Sequence, residues 1–332
     1  MAKKAVALIS GGLDSILAAR VVMDQGYEVT GLYFTSAFSK AFGREQNTHA
    51  AGVSRETGIA LRIIDLGREY IELIRNPKHG YGKNINPCID CKIFMLQKAK
   101  TVMEELGSPF ILTGEVLGQR PMSQRLDTLH VIERESGLRG RILRPLSALV
   151  LPPTQVELDG LIDRSRLLGI SGRGRTAQFS LAERYGIRGF SAPAGGCLLT
   201  DENFSAKLRD LFQEQKDIAP IDIRLLTIGR HFKVSPGVRI VLGRDSREND
   251  VLAEIASPGY FLFQPVDFMG PVAIVTGIPS TETKELVGRL LVTYSKKFTG
   301  SVRKVRFGEE IFTAGPPLAS PGSLLKRIGA NY

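Results

Sequence analysis

Long apolar runs, export signals and pairable cysteines are what this 332-residue sequence has least of. No stretch approaches the ~20 apolar residues that span a bilayer. After Met1-Ala2-Lys3-Lys4 only five apolar residues, Ala5 to Ile9, precede Ser10-Gly11-Gly12. That is too short for the hydrophobic region of a signal peptide, and no cleavage site follows. A cytoplasmic protein with no membrane partner is the expectation. The three cysteines, Cys88, Cys91 and Cys197, are an odd number without an export signal, which argues against a disulfide framework. There is no second C-x-x-C and no H-x-x-x-H pair to complete a zinc site. The four histidines (His49, His79, His130, His231) show no ligand spacing. A thioredoxin-like motif would follow the first strand, and Cys88-x-x-Cys91 does not.

What is present is basic charge and an alternating pattern. Lys and Arg number 44 against 34 acids, a net charge of +10, which attracts polyanions through counterion release. The length predicts two domains. Residues 5–10 are a short apolar run of the kind buried on both sheet faces. Gly11 and Gly12 open a turn, and helical spacing runs from Asp14 to Gly26. Strands are expected at 28–34, 61–66 and 110–113, with helices at 48–58 and 94–106. This alternation predicts βαβ units, hence an α/β fold with a doubly wound parallel sheet spanning 1–190. An arginine-rich stretch, Asp159–Arg188, and a junction at 191–196 follow. The pattern restarts in a second, smaller α/β domain, 197–332, with helices at 204–215 and 281–294. Strands are expected there at 239–242, 260–263, 272–275 and 301–307, before a Gly/Pro-rich tail at 315–322.

The loop Ser10-Gly11-Gly12-Leu13-Asp14-Ser15 joins a strand to a helix start. Free backbone N–H groups and a helix dipole then surround one point, an arrangement that holds phosphate oxygens. The Ser10 and Ser15 hydroxyls are candidate donors, and Asp14 is a candidate for positioning a Mg²⁺ ion or a phosphate. As S-G-G-x-D-S after an N-terminal apolar strand, the loop resembles the pyrophosphate loop (PP-loop) of the ATP pyrophosphatase superfamily. Its members cleave ATP to AMP and pyrophosphate while adenylating a substrate.

Asn86-Pro87-Cys88-Ile89-Asp90-Cys91-Lys92, with Met95 and Ala99 beyond, is similar to the C-x-x-C-K segment of tRNA 4-thiouridine synthetases. Its Asn-Pro-Cys also resembles tRNA 2-thiouridylases. Thr113-Gly114-Glu115-Val116-Leu117-Gly118-Gln119 with Ser123-Gln124 matches the synthetase pattern G-E-x-L-G-Q-x-x-S-Q with one extra residue, and Arg144-Pro145-Leu146 resembles the same family's R-P-L. The resemblance covers about residues 5–200. It implies a nucleotide site made of Ser10, Gly11, Gly12, Asp14, Ser15, Tyr33, Thr113, Gly114 and Gln119.

Cys197 stands where such enzymes carry a distal cysteine. Two schemes stay open. Either Cys91 or Cys197 carries a persulfide and the other resolves it, or Cys88, Cys91 and Cys197 hold a [4Fe-4S] cluster at three irons. The catalytic candidates are therefore Cys88, Cys91, Cys197 and Asp14.

Family members usually carry an RNA-binding region ahead of the loop. Here residues 196–250, with Gly229-Arg230-His231-Phe232 and Val241-Leu242-Gly243-Arg244-Asp245, resemble the NFACT-type RNA-binding domain. Its basic side chains are Arg224, Arg230, Arg239, Arg244 and Arg247, then Lys296, Lys297, Arg303, Lys304 and Arg306. His231 is an RNA-contact candidate. The resemblance implies tRNA as substrate and a sulfur donor, cysteine desulfurase or inorganic sulfide, as partner, with a homodimer left open. ATP-dependent tRNA thiolation giving 4-thiouridine is the function it implies. A 2-thiouridylase, an adenylating enzyme for a small carboxylate or amide, and a non-enzymatic RNA-binding factor stay open beside it.

Overall fold

The computed structural model describes residues 3–39, 44–187, 197–295, 303–319 and 326–327, with backbone alone for 44–50 and 326–327. The junction at 191–196, the side chain of His49, Lys296 and Lys297, and the first residues of the strand expected from 301 lie outside the described residues. The chain divides into two compact units, Met1–Cys197 and Leu198–Tyr332.

The first unit contains β1 (Lys3–Leu8), α1 (Leu13–Met23), β2 (Tyr27–Thr35), α2 (Arg44–Thr57), β3 (Ala60–Asp65), α3 (Gly67–Arg75) and α4 (Cys88–Glu105). It continues through β4 (Ile111–Thr113), α5 (Leu126–Glu135), β5 (Ile142–Leu143), α6 (Gln155–Leu158) and α7 (Thr176–Arg184). The strands form one five-stranded sheet in the order β3-β2-β1-β4-β5. All four ladders are parallel.

β1 alternates between two cores. Ala5, Ala7 and Ile9 join Ile16, Leu17 and Phe110 on one face, while Val6 and Leu8 join Leu96, Met103 and Ile111 on the other. Burial on both faces explains why its sequence reads as a continuous apolar run. The chain leaves β1 toward β2 and returns on the opposite side at β4. The crevice between these strands is the topological switch point, where doubly wound sheets bind ligands.

α4 begins at Cys88, six residues before the apolar spacing suggests. Pro87 precedes it, and Asp90 in the first turn complements the dipole. Both cysteines of the C-x-x-C thus sit on the first turn of a helix.

The second unit holds α8 (Glu202–Glu214), α9 (Pro220–Leu225), β6 (Arg230–Ser235), β7 (Val238–Leu242), α10 (Ser246–Ile255) and β8 (Tyr260–Pro265). β9 (Ala273–Thr276), α11 (Thr281–Thr293), β10 (Lys304–Phe307), β11 (Glu310–Thr313) and β12 (Lys326–Arg327) complete it. Its seven strands run β11-β10-β8-β9-β7-β6-β12, and every ladder is antiparallel. α11 covers one face around Phe232, Phe263 and Val305, and α9 and α10 cover the other around Val241 and Ile274. No helix among the described residues is long and apolar enough to cross a membrane.

Phe110 is fully buried and meets Tyr27 edge-on at 5.3 Å between β1, β2 and β4. A Phe110→Ala substitution is expected to cost ~3–5 kcal/mol, read as a lower midpoint in urea unfolding monitored by circular dichroism.

Candidate nucleotide loop and thiol cluster

The Ser10–Ser15 loop leaves the carboxyl end of β1, at the switch point. Gly11 adopts φ 75°, a left-handed conformation that a side chain disfavours. The loop is held by its own hydroxyls. The Ser10 N–H donates to Ser15 Oγ at 3.2 Å, the Gly12 N–H to Ser10 Oγ at 3.3 Å, and the Ser15 hydroxyl to the Gly12 carbonyl at 2.8 Å. Ser10 and Ser15 therefore shape the loop through their hydroxyls.

Asp14 stands in the first turn of α1. Gln119 Nε2 donates to its Oδ2 at 3.2 Å across 105 residues of sequence. Its Oδ1 is buried and has no hydrogen-bond partner among the described residues. An orphaned carboxylate oxygen beside a phosphate-type loop suits a bound cation such as Mg²⁺.

Gly114 presses on this loop. A Cβ built there would lie 2.4 Å from Ser15 N and 2.5 Å from the Asp14 carbonyl carbon, so no larger residue fits without backbone displacement. Thr113 is buried and donates its hydroxyl to Glu115 at 3.1 Å. Ser123 and Gln124 are buried, and the Gly118 N–H donates to the Gln124 carbonyl at 2.7 Å. Tyr33 lies on β2, next to Ile63 of β3. Desolvation raises its phenol pKa.

Glu115 anchors the other side of this strand end. It is 2% exposed, accepts from Arg144 Nε at 3.1 Å and pairs with Lys92 Nζ at 3.7 Å. Arg144 also pairs with Glu133. Burial alone would raise the Glu115 pKa, but Lys92 and Arg144 outweigh it and hold the carboxyl below its ordinary 4.5. Lys92 follows Cys91, so one ion pair ties the thiol segment to the strand end that packs on the phosphate-type loop.

The three thiols are not disulfide-bonded among the described residues. Cys88 and Cys91 are partly buried and Cys197 is exposed. Cys91 Sγ hydrogen-bonds with the Tyr70 hydroxyl at 2.8 Å. Desolvation pushes the Cys91 thiol up to about 11 against the pull of Tyr70 and Lys92, and Cys197 and Cys88 push it further the same way. Desolvation raises the Tyr70 phenol well above 10, and all three cysteines, Cys91 foremost, push it the same way. The fold thus brings the C-x-x-C and the distal cysteine into electrostatic contact. Among the described residues no three His, Cys, Asp or Glu side chains stand close enough to hold a metal ion at their present distances.

The remaining candidates are placed otherwise. Asp90 accepts the Lys78 and His79 N–H groups at 3.2 and 3.0 Å, and His79 bridges Asp90 and Glu135. His130 is exposed. His231 is 2% exposed and directs Nε2 to the Ile228 carbonyl at 2.8 Å, so it cannot reach RNA. Burial, with the Lys207 charge adding to it, drives its pKa well below 6.5 and keeps it neutral.

Arg239 is likewise buried, held by Asp210 and Glu214, while Lys304 and Arg306 flank buried Val305 and face solvent from β10. The motifs leave two parts of the site unmarked. One is Tyr70, in a helix with no motif of its own. The other is Arg175, whose Nη2 lies 3.6 Å from Asp14 Oδ1.

Glu115→Gln would leave Arg144 buried with half its compensation. It is expected to cost ~3–5 kcal/mol at pH 7. Because the folded pKa is depressed, this stabilisation is present above pH 4.5 and is lost as pH falls through the folded value. The gap between wild-type and variant urea midpoints should therefore narrow below pH 4.5; a gap that widens in acid would contradict the ion-pair assignment.

Residues 1–150 match the family model described as thiamine biosynthesis protein (ThiI), and residues 229–311 match that of the NFACT protein RNA binding domain. A probable tRNA sulfurtransferase of Thermococcus kodakarensis is 30% identical over 152 residues, 44% of this chain and 37% of that relative. A tRNA-specific 2-thiouridylase MnmA of Sulfurimonas denitrificans is 29% identical over 121 residues, 35% of this chain and 36% of the relative. The chain thus spans little more than a third of the length of these curated relatives. Among solved structures, a 4-thiouridine synthetase–RNA complex with bound ATP is 22% identical, covers 55% of this chain and 50% of its own, and gives a TM-score of 0.36, below the level that implies a shared fold. Residues 1–150 are thus similar to the ThiI family, and residues 229–311 to the NFACT-type RNA-binding domain.

Proposed function

We propose that the protein is an ATP-dependent tRNA sulfurtransferase that adenylates a uridine carbonyl oxygen and replaces it with sulfur, giving 4-thiouridine. One observation carries this reading: the Lys92–Glu115 ion pair joins the cysteine-bearing helix to the strand end that packs on the Ser10–Ser15 loop. A nucleotide-activating loop and a thiol cluster in one frame are what adenylation followed by sulfur transfer requires.

ATP is read as resting its phosphates on the loop, with Asp14 orienting them or a Mg²⁺ ion. The uridine carbonyl oxygen attacks the α-phosphate and pyrophosphate leaves. That oxygen is a poor leaving group until adenylation makes it part of AMP. Sulfur then bonds to the activated carbon, the C–O bond breaks, and AMP departs with the oxygen.

Cys88, Cys91 and Cys197 fit a [4Fe-4S] cluster by donor chemistry, three soft thiol ligands that already feel one another's charge. Such a cluster would supply an iron site open to sulfide. Tyr70 holds the Cys91 sulfur in place by its hydrogen bond, and Lys92 offsets the negative charge that deprotonated thiols accumulate. In the persulfide reading, exposed Cys197 is the carrier, since desolvation keeps Cys91 protonated at neutral pH. The matches to 2-thiouridylases favour C2 as a second position for sulfur.

The test is thiolation of unmodified tRNA by anaerobically purified protein with ATP and sulfide, read by mass spectrometry of the digested nucleosides. Production of 4-thiouridine with matching AMP and pyrophosphate is expected, and 2-thiouridine would move the assignment to C2. Asp14→Ala should lower AMP formation by about 100-fold or more. Cys197→Ala should keep pyrophosphate release, leave the adenylate on the tRNA and lose thiolation. About four irons per chain, with a broad band near ~400 nm lost in Cys197→Ala, is expected for the cluster. A colourless, iron-free protein that is inactive with sulfide but active with cysteine and a cysteine desulfurase, which supplies sulfane sulfur, would leave the persulfide relay. Absence of any thionucleoside would overturn the reading.

A further inference from the structure

We infer that Arg175 is a phosphate-binding residue, the cationic side of the nucleotide loop that lies opposite Gln119. The inference rests on the reading of the Ser10–Ser15 loop as an ATP site, and it adds a residue that no motif marks.

Arg175 is delivered by a built segment. The Ser147 hydroxyl donates to the Ile170 carbonyl at 2.7 Å and accepts the Leu117 N–H at 3.0 Å. The Gly172 N–H donates to the Leu117 carbonyl at 2.7 Å. Residues 170–172 are therefore laced to the loop that carries Gly118 and Gln119. Gly172 has φ 83°, which turns the chain toward α1, and α7 starts directly after Arg175. Across this turn the guanidinium stands 3.6 Å from Asp14 Oδ1 and 5.5 Å from the centroid of the Phe179 ring.

The geometry is an incomplete ion pair. At 3.6 Å the Arg175–Asp14 contact is beyond hydrogen-bond length, and Asp14 Oδ1 has no hydrogen-bond partner among the described residues. Arg175 Nε is also buried without a hydrogen-bond partner among them. Phe179 lies by the planar guanidinium group and leaves the donor fork at its edge uncommitted. A guanidinium with spare, desolvated donors, held over a phosphate-type loop, matches the bidentate geometry of a phosphate. It also offsets the repulsion between the Asp14 carboxylate and an incoming polyphosphate. Gln119 keeps Asp14 from rotating onto the arginine and closing the pair.

The test uses the full chain and three probes: ATP and inorganic pyrophosphate by calorimetry, and adenosine, which has no phosphate, by NMR titration. Arg175→Ala is expected to weaken ATP and pyrophosphate about tenfold or more, the loss of one charge-assisted donor, with adenosine affinity unchanged. Arg175→Lys should restore only part of the loss, because a point charge cannot form the fork. An unchanged ATP affinity in Arg175→Ala would overturn the inference, as would a parallel loss of adenosine, which would mark a structural role. If the wild-type protein binds no ATP, the ATP-site reading itself falls and takes this inference with it. With wild-type binding intact, a negative result falls on Arg175 alone.

Discussion

A carboxylate that water does not reach sets the geometry of the first unit. Glu115 sits at the end of the sheet's central crevice between Arg144 and Lys92, with Thr113 donating a hydroxyl as well. Stripping a carboxylate of water costs several kcal/mol unless cations and donors replace the lost hydration. The replacement here comes from three chain segments at once: the end of β4, the first turn of α4 and the loop after β5. None of them can shift without exposing a buried charge to an apolar surround. The neighbouring residue, Gly114, transmits that rigidity, because it packs directly on the backbone of Asp14 and Ser15. The phosphate-type loop is thus positioned from below by a charge network and from its own sequence by two serine hydroxyls.

The thiols obey a different constraint. Tyr70 is buried against Phe94 and Phe38, and its hydroxyl fixes the Cys91 sulfur. A partly buried thiol pushed up to about 11 is protonated and unreactive at neutral pH, whereas Cys197 is exposed. Desolvation favours the neutral form, and only a strong positive charge or a bound metal reverses it. The surroundings of Cys91 therefore hold it as an inert thiol, while Cys197 is left open to solvent.

Those two constraints explain which parts of the site the sequence reveals. β1, the glycine turn and α1 are legible because burial on both faces demands an unbroken apolar run and the turn demands glycine. The pairing of Asp14 with Gln119 is legible only as shared membership of motifs, since nothing local links residues 105 positions apart. The start of α4 at Cys88 is hidden because Pro87 offers no capping side chain and the C-I-D-C turn has no apolar period. Tyr70, Ile71 and Ile74 do carry a helical spacing, but nine residues between a strand and Pro77 read equally well as a loop. Arg175 is hidden most deeply. It stands among five other arginines in the 159–188 stretch, and only the turn at Gly172 distinguishes it from a solvated charge.

Charge in the second unit shows the converse, a sequence signal that overstates what the surface offers. Arg239 counts toward the basic balance, yet it is 4% exposed and neutralised by Asp210 and Glu214, which Lys233 also joins. Arg244 donates to the Gly229 carbonyl and pairs with Glu248, and Arg230 donates to the Gly243 carbonyl and lies over the Tyr294 ring. These side chains tie β6 and β7 to the helices and loops around them. Affinity for a polyanion depends on the cations that release counterions from it, so charges already spent on carboxylates inside the fold contribute little. What remains is set by strand alternation: Val305 points into the core, and Lys304 and Arg306 on either side of it point to solvent. On β10 the basic charge open to solvent is therefore a matter of which face each residue occupies, a property of the pleat that a net charge of +10 does not contain.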